Sequence, residues 1–317
     1  MQGFSTRPNP FDLADDYAYA QWRDKKWAEY PARIEALVVE VVNPCALSSL
    51  EEEAIRRCCR RANMAIYVTT TAGLNMDAAA VATMGRQFGL LRMDKNLYAE
   101  DDGISALTVS DQRRQFEYIP YSNRPIGWHT DGYYNSSAEN IHAMVLHCAQ
   151  PALQGGENAF MDHEMLYIQL RDENPEHIVA LMQDDVMTIP ANIEAGIEIR
   201  PEQTGPVFSI INTMNQSGHS NRSHLHMRYT ARTRSIVWKA DLKTQAAVEC
   251  LKALLVLDSP YCFKKRFAAG EGIISNNILH TRTAFEDDDN ADGVVSADSE
   301  ASAKRLVYRG RYYDRID

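Results

Sequence analysis

In the segment RPIGWHTDGYYN, residues 124–135, a histidine and a carboxylate stand one residue apart. On an extended strand side chains alternate with a period of two, so His129 and Asp131 would share a face. An imidazole nitrogen beside a carboxylate oxygen supplies two good ligands for a divalent cation. One more histidine would complete the two-histidine, one-carboxylate face that leaves positions open on non-haem Fe(II). The same spelling also suits a strand-end histidine hydrogen-bonded to its neighbour. His280 is the available third ligand, at the end of GIISNNILH, where a hydrophobic run closes on a polar turn. Its competing explanation is a satisfied core histidine. His224 and His226, at i and i+2 in SHLHMRYT, are rivals, and a histidine-rich site made with His129 would favour zinc. His142, His147, His163, His177 and His219 lack a well-placed carboxylate or fall in expected helices and loops.

Such ligands need a scaffold to hold them. The chain has 317 residues, 45% hydrophobic and 24% charged, enough to bury a large core and inconsistent with wholesale disorder. Its length suits one large domain or two modest ones. The net charge of −10 argues against a nucleic-acid binder, which would carry a basic footprint. The longest apolar run, IEALVVEVV, is broken by two glutamates and falls far short of the roughly 20 residues of a membrane span. No basic stretch followed by an apolar one opens the chain. Six cysteines at irregular spacing, with no CxxC pair, read as free buried thiols rather than a disulfide framework. A cytoplasmic location is the expectation.

Residues 12–30 place Leu13, Tyr17, Trp22 and Trp27 near helical spacing, and Pro31 ends the run. Ser48-Ser49 followed by three acids suggests a capping box, Glu52 lying three residues after Ser49, with a helix to about residue 62. MAIYVTTT reads as a strand and MDAAAVATMGRQFGL as a helix. From about residue 105 the texture turns to short β-rich segments: FEYIPY, IHAMVLHCA, GPVFSIIN, HLHMRYTA, YCFKKRFAA, GIISNN and RLVYRGRYY. Helical stretches near 162–183 and 243–257 interrupt them. This pattern predicts a β-sandwich or barrel with flanking helices, not a parallel sheet. Residues 286–303 hold seven acids and no base, which puts most of the net charge in what reads as a mobile surface loop.

Four blocks in order, WHTDGYYN, GGENAFMDHEMLYIQL, NNILHTRTAFED and RLVYRGRYY, resemble the taurine dioxygenase (TauD/TfdA-like) family of Fe(II)/2-oxoglutarate-dependent oxygenases. The resemblance runs from about residue 120 to 313. It implies an α+β fold whose core is a double-stranded β-helix, the cupin-like jelly roll, with flanking helices. A single domain would span 1–317, with 1–104 its mostly helical N-terminal part and 105–317 the core carrying the acidic loop 286–303. It also implies His129, Asp131 and His280 as the catalytic iron ligands. Asn158, after Gly155-Gly156-Glu157, falls where the family usually has a Thr or Ser that contacts 2-oxoglutarate. The arginine that grips the far carboxylate of 2-oxoglutarate corresponds to Arg305. Arg282 is nearer to His280 but is expected to point beside the metal strand. The 24 residues 281–304 exceed the family's usual gap, and the acidic stretch accounts for the excess.

A guanidinium fork binds a carboxylate bidentately, which a lysine cannot do. On a strand Arg305, Val307 and Arg309 share a face, so two guanidinium groups would look into one pocket. Surface arginines on an edge strand are the plainer alternative. Arg309 matches a family position that binds a substrate anion, which points to a small carboxylate or sulfonate. Trp128, Tyr133, Tyr134 and Asn135 flank the metal strand and are candidates to line the substrate pocket, although aromatics there serve packing as often as recognition.

The implied chemistry is hydroxylation of an unactivated C–H bond, consuming O2 and converting 2-oxoglutarate to succinate and CO2. A carboxylate ligand at Asp131 fills the position that radical halogenases leave for chloride, so hydroxylation is favoured. The expected partner is a small-molecule substrate, with neither nucleic acid nor membrane, and a homo-oligomer is compatible. Two alternatives stay open: a zinc-dependent hydrolase with Glu157 as base, and a non-catalytic metal-binding protein on the same fold.

Overall fold

The computed structural model describes residues 9–71, 76–94, 103–110, 118–214, 220–232, 236–287 and 304–317. Helices form where caps and breakers agree. The helix α1 (Asp16–Glu29) opens on Asp15, whose carboxylate accepts the Ala18 N–H, and stops before Pro31. In α2 (Ser49–Ala62) the capping box sits one residue earlier than expected, on Ser48 and Glu51. Both registers spell S-x-x-E. Glu51 takes the role because its carboxylate also accepts the Val42 N–H at 2.7 Å, while Glu52 pairs with Arg56 one turn on. The helix α3 (Ala78–Gln87) follows. The stretch near 162–183 is two helices, α4 (His163–Glu173) and α5 (Pro175–Leu181), because Pro175 cannot continue the first and Asn174 caps the second. The last is α6 (Leu242–Leu254).

The described chain forms two compact units. One comprises residues 1–31, 163–228 and 235–256 and holds α1, α4, α5 and α6. Small antiparallel pairings accompany them, the longest between Phe208–Met214 and Ser220–Met227. Phe11, Trp22, Tyr167 and Phe208 meet edge-to-face in its core. The buried face of α1 is not the one traced through Leu13 and Tyr17. Tyr17 is exposed, whereas Ala18, Tyr19 and Lys26 are buried, the last because its ammonium reaches Glu164.

The other unit comprises residues 32–162, 229–234 and 257–317. It contains α2 and α3, a short pairing of Gln154–Gly155 with Phe285–Glu286, and two larger sheets built from ten strands. In chain order these are β1 (Val38–Val41), β2 (Met64–Thr69), β3 (Ile104–Leu107), β4 (Ile126–His129) and β5 (Ala143–Gln150). Then come β6 (Asn158–Met161), β7 (Cys262–Lys265), β8 (Glu271–Ser275), β9 (Leu279–Arg282) and β10 (Leu306–Tyr312). The larger sheet runs β1-β2-β8-β5-β10-β3 and the smaller β7-β6-β9-β4. All pairings are antiparallel except β1 with β2, which α2 connects. The helical opening third therefore also donates two strands to the larger sheet. The fold is mixed α+β.

All six cysteines are unpaired. No helix among the described residues is long and apolar enough to cross a membrane. Of the acidic stretch 286–303, only Glu286 and Asp287 lie within the described residues.

Candidate metal centre and adjoining pocket

His129 is the last residue of β4 and lies directly opposite His280 of β9 in the antiparallel register. The two rings are 4.1 Å apart at their centroids. His129 Nδ1 donates to the Gly127 carbonyl at 2.9 Å, and His280 Nδ1 donates to the Ile278 carbonyl at 3.0 Å. A carbonyl only accepts, so each Nδ1 carries the hydrogen and each Nε2 keeps its lone pair for a ligand. The two imidazoles are locked in the metal-binding tautomer by their own backbone.

Asp131 arrives differently from the strand-alternation expectation. The strand ends at His129, and Asp131 opens a turn whose next residue, Gly132, has φ +67°. A Cβ on Gly132 would stand 2.4 Å from Ile141 Cγ1, so both conformation and space demand glycine there. The turn is held from the opposite segment by Asn277, itself buried and left-handed at φ 49°. Its side chain accepts the Asp131 N–H at 2.8 Å and donates to the carbonyls of Asp131 and Ile141, at 2.9 and 2.7 Å. One short segment thus supplies His280 and fixes the backbone of Asp131. Sequence reasoning passed over Asn277, although an asparagine pair closing a hydrophobic run is the spelling of a left-handed turn residue.

The ligand atoms of His129, Asp131 and His280 all lie within 4.8 Å of one another. Among the described residues this is the one such cluster of three or more His, Cys, Asp or Glu side chains. Asp131 Oδ1 accepts from Arg309 Nη1 at 3.2 Å, while Oδ2 is buried without any hydrogen-bond partner. A buried carboxylate oxygen without a donor is costly, and a divalent cation would satisfy it. Burial alone would raise the affinity of Asp131 for its proton. Arg309 and Arg311 outweigh that effect and hold the carboxyl well below its usual range. Burial, reinforced by His280, pushes His129 down to about 3, and burial pushes His280 in the same direction. Neutral imidazoles beside an ionised carboxylate are the protonation states that metal ligation requires. The donor set fits Fe(II).

A solvent-connected cavity opens beside these ligands. His129, His280, Asn158, Arg282, Arg305 and Arg309 give it polar lining; Leu107, Ile126, Leu146 and Val307 give it apolar walls. Arg305, Val307 and Arg309 face it together, as alternation predicts. Arg305 donates its backbone N–H to Asp287 Oδ1 at 3.0 Å, so one acid of the acidic stretch reaches back to the start of β10. Its guanidinium lies 4.9 Å from the centre of the Phe285 ring and makes no hydrogen bond among the described residues. Arg282 lies 4.8 Å from the same ring. Contrary to the expectation that it would point aside, Arg282 lines the same cavity as Arg305. Asn158 sits opposite Arg282 in the β6–β9 register. A smaller adjoining cavity shares Asn158, Arg305 and Val307 and adds Cys148 and Phe267.

Trp128, Tyr134 and Asn135 are not in the lining of the larger cavity. Trp128 is buried and takes the opposite face of β4 from His129. Tyr134 Oη accepts from Arg311 Nη1 at 2.8 Å, and Asn135 Nδ2 donates to the Glu139 carbonyl at 3.0 Å. Tyr133 packs edge-on against Tyr134. Glu157 is exposed and also outside the lining. His224 and His226 lie in Ser220–Met227, in the other unit.

The model of the taurine catabolism dioxygenase TauD, TfdA family matches residues 30–295. A uridine-5'-phosphate dioxygenase from a Streptomyces species is 25% identical over 141 residues, 42% of this chain. The match covers 50% of that protein's length. Among solved structures, asparagine oxygenase in complex with Fe(II), 2S,3S-3-hydroxyasparagine and succinate is similar with a TM-score of 0.53. That likeness has 12% identity and covers 87% of this chain and 93% of the other. A taurine dioxygenase from Burkholderia xenovorans has a TM-score of 0.51 at 14% identity, covering 87% and 86%. At such identities these structures speak to the fold.

Proposed function

Because this chain belongs to the taurine catabolism dioxygenase TauD, TfdA family, we propose that it is an Fe(II)- and 2-oxoglutarate-dependent dioxygenase hydroxylating a small anionic substrate. The observation that carries this reading is the buried, partnerless Oδ2 of Asp131 facing two histidines whose Nδ1 atoms are already committed. His129, Asp131 and His280 would hold the metal. Fe(II), with 2-oxoglutarate and O2, supplies oxidative decarboxylation to succinate and CO2 and the hydroxylation of a C–H bond.

The protein's own part is placement. Arg305, its guanidinium stacked on Phe285 and without a hydrogen bond among the described residues, anchors the far carboxylate of 2-oxoglutarate, with Asn158 beside it. Arg309 already reaches the metal carboxylate and has a buried Nε without an acceptor, so it is poised to meet a substrate carboxylate or sulfonate. The phosphate in the name of the Streptomyces relative is an oxyanion too. The apolar walls exclude water around the reacting carbon. We read the larger and smaller sheets as the two halves of a double-stranded β-helix. We take 1–317 as one oxygenase domain, since the chain passes repeatedly between its two units.

Anaerobic titration with Fe(II) and then 2-oxoglutarate tests the reading. A weak visible charge-transfer band should appear, and it should vanish when Asp131→Ala is combined with His280→Ala. Tight zinc binding with no such band would overturn it.

A further inference from the structure

Three buried guanidinium groups, those of Arg282, Arg305 and Arg309, line one cavity. The carboxylate of Asp131 is engaged by Arg309 alone among them. Neither Arg282 nor Arg305 has an ion-pair partner for its guanidinium among the described residues; the Asp287 carboxylate acts on Arg305 from farther away, and Arg282 has no such neighbour. A buried cation without a counter-charge is costly unless a ligand supplies one. Arg305 has its assignment in the proposed function; Arg282 has none.

The surroundings of Arg282 are those of a preset donor. Its Nη2 donates to the carbonyls of Ser122 and Arg124, at 2.7 and 2.6 Å. Those bonds fix the guanidinium plane without neutralising it. Nε is buried and has no acceptor. The Phe285 ring lies against both guanidinium groups, at 4.8 Å from Arg282 and 4.9 Å from Arg305. One aromatic face therefore gathers two cationic heads at one wall of the cavity.

We infer that Arg282 is a second anchor for the remote carboxylate of the cosubstrate, and that with Arg305 it makes the pocket selective for dicarboxylic over monocarboxylic 2-oxoacids. The inference rests on the 2-oxoglutarate reading above. One remote carboxylate offers enough acceptor sites for both arginines, and a 2-oxoacid lacking it leaves both unpaired. The competing role is purely structural, a tie from β9 to the carbonyls of residues 122 and 124. That role predicts equal damage to any 2-oxoacid.

The test compares binding of 2-oxoglutarate and 2-oxobutyrate, which has a hydrogen in place of the remote carboxylate. Calorimetry on Fe(II)-loaded protein under anaerobic conditions reads both, with no turnover needed. Arg282→Met should weaken 2-oxoglutarate by roughly 10- to 100-fold, the worth of one charge-assisted hydrogen bond. It should leave 2-oxobutyrate within about twofold. Arg282→Lys, which keeps the cation, should show a smaller loss confined to the dicarboxylate, and it decides the matter if the methionine variant does not fold. Equal weakening of both acids, or unchanged 2-oxoglutarate affinity, overturns the assignment. Parent protein that binds neither acid overturns the oxygenase reading itself.

Discussion

Asp94 and Asp131 are both buried carboxylates, and each faces an arginine of β10, Arg311 and Arg309, two residues apart on one strand. Their surroundings diverge. Asp94 is used up: one oxygen takes Arg311, the other takes the Tyr313 hydroxyl at 2.7 Å and Asn135 at 3.4 Å. Asp131 gives one oxygen to Arg309 and keeps the other buried and bare. A saturated buried carboxylate is a fastener. One with an oxygen withheld from every donor is shaped for something the chain does not itself provide.

Removing each charge in turn should separate the two roles. Asp131→Asn keeps the shape but loses the anion, and metal-dependent turnover should fall on the order of 10³-fold, the several kcal/mol a catalytic metal supplies. Its melting temperature should stay near that of the parent, because stranding Arg309 is offset by removing the charge from a buried carboxylate whose other oxygen has no donor. Asp94→Asn should do the reverse, costing about 3–5 kcal/mol of stability by stranding Arg311, with turnover per folded molecule little changed. Denaturant unfolding and succinate release measure the two axes. If both substitutions move the same axis, the distinction between fastener and ligand fails.

The clamp on Asp131 gives a smaller and sharper test. Asn277→Gly accepts the left-handed backbone but loses the amide, whereas Asn277→Ala loses the amide and also meets the positive φ. Both should weaken Fe(II) binding by about 10- to 100-fold, as loss of groups that orient ligands does. Only the alanine variant should lose a further 1–2 kcal/mol or so of stability. Equal metal affinity in parent and glycine variant would remove Asn277 from the site.

What could be read in advance follows from the range of the interactions. The triad was legible because four family-like blocks occur in order around it, whereas the HxD spacing alone also suits a strand-end histidine; the arginine face was legible because strand parity carries over from sequence to space. The route of Asp131 was not, since it depends on Gly132 ending the strand and on Asn277, 146 residues away. The pairing of Asp94 with Arg311 spans 217 residues and leaves no local trace. Arg282 escapes a local reading for a related reason. Parity places it on the face of His280, but the Phe285 ring that holds both its head and that of Arg305 lies beyond the strand. Helix boundaries fared better because caps are local, and even the one-residue slip in α2 came from a distant donor, the N–H of Val42.

Tyr134 stands on the border of the comparison and gives its smallest effect. It follows the metal-ligand turn, yet its hydroxyl accepts from Arg311, the fastener arginine. If it belongs to that side, Tyr134→Phe should cost about 1 kcal/mol of stability, the net worth of one hydrogen bond. The KM for substrate and the affinity for 2-oxoglutarate should then be unchanged. A raised KM without loss of stability would place the ring on the substrate side, giving the segment 128–135 a recognition role besides holding Asp131. Measuring unfolding and KM on one preparation distinguishes the two, because a hydroxyl engaged with Arg311 in the folded protein offers little to a substrate unless that bond is broken.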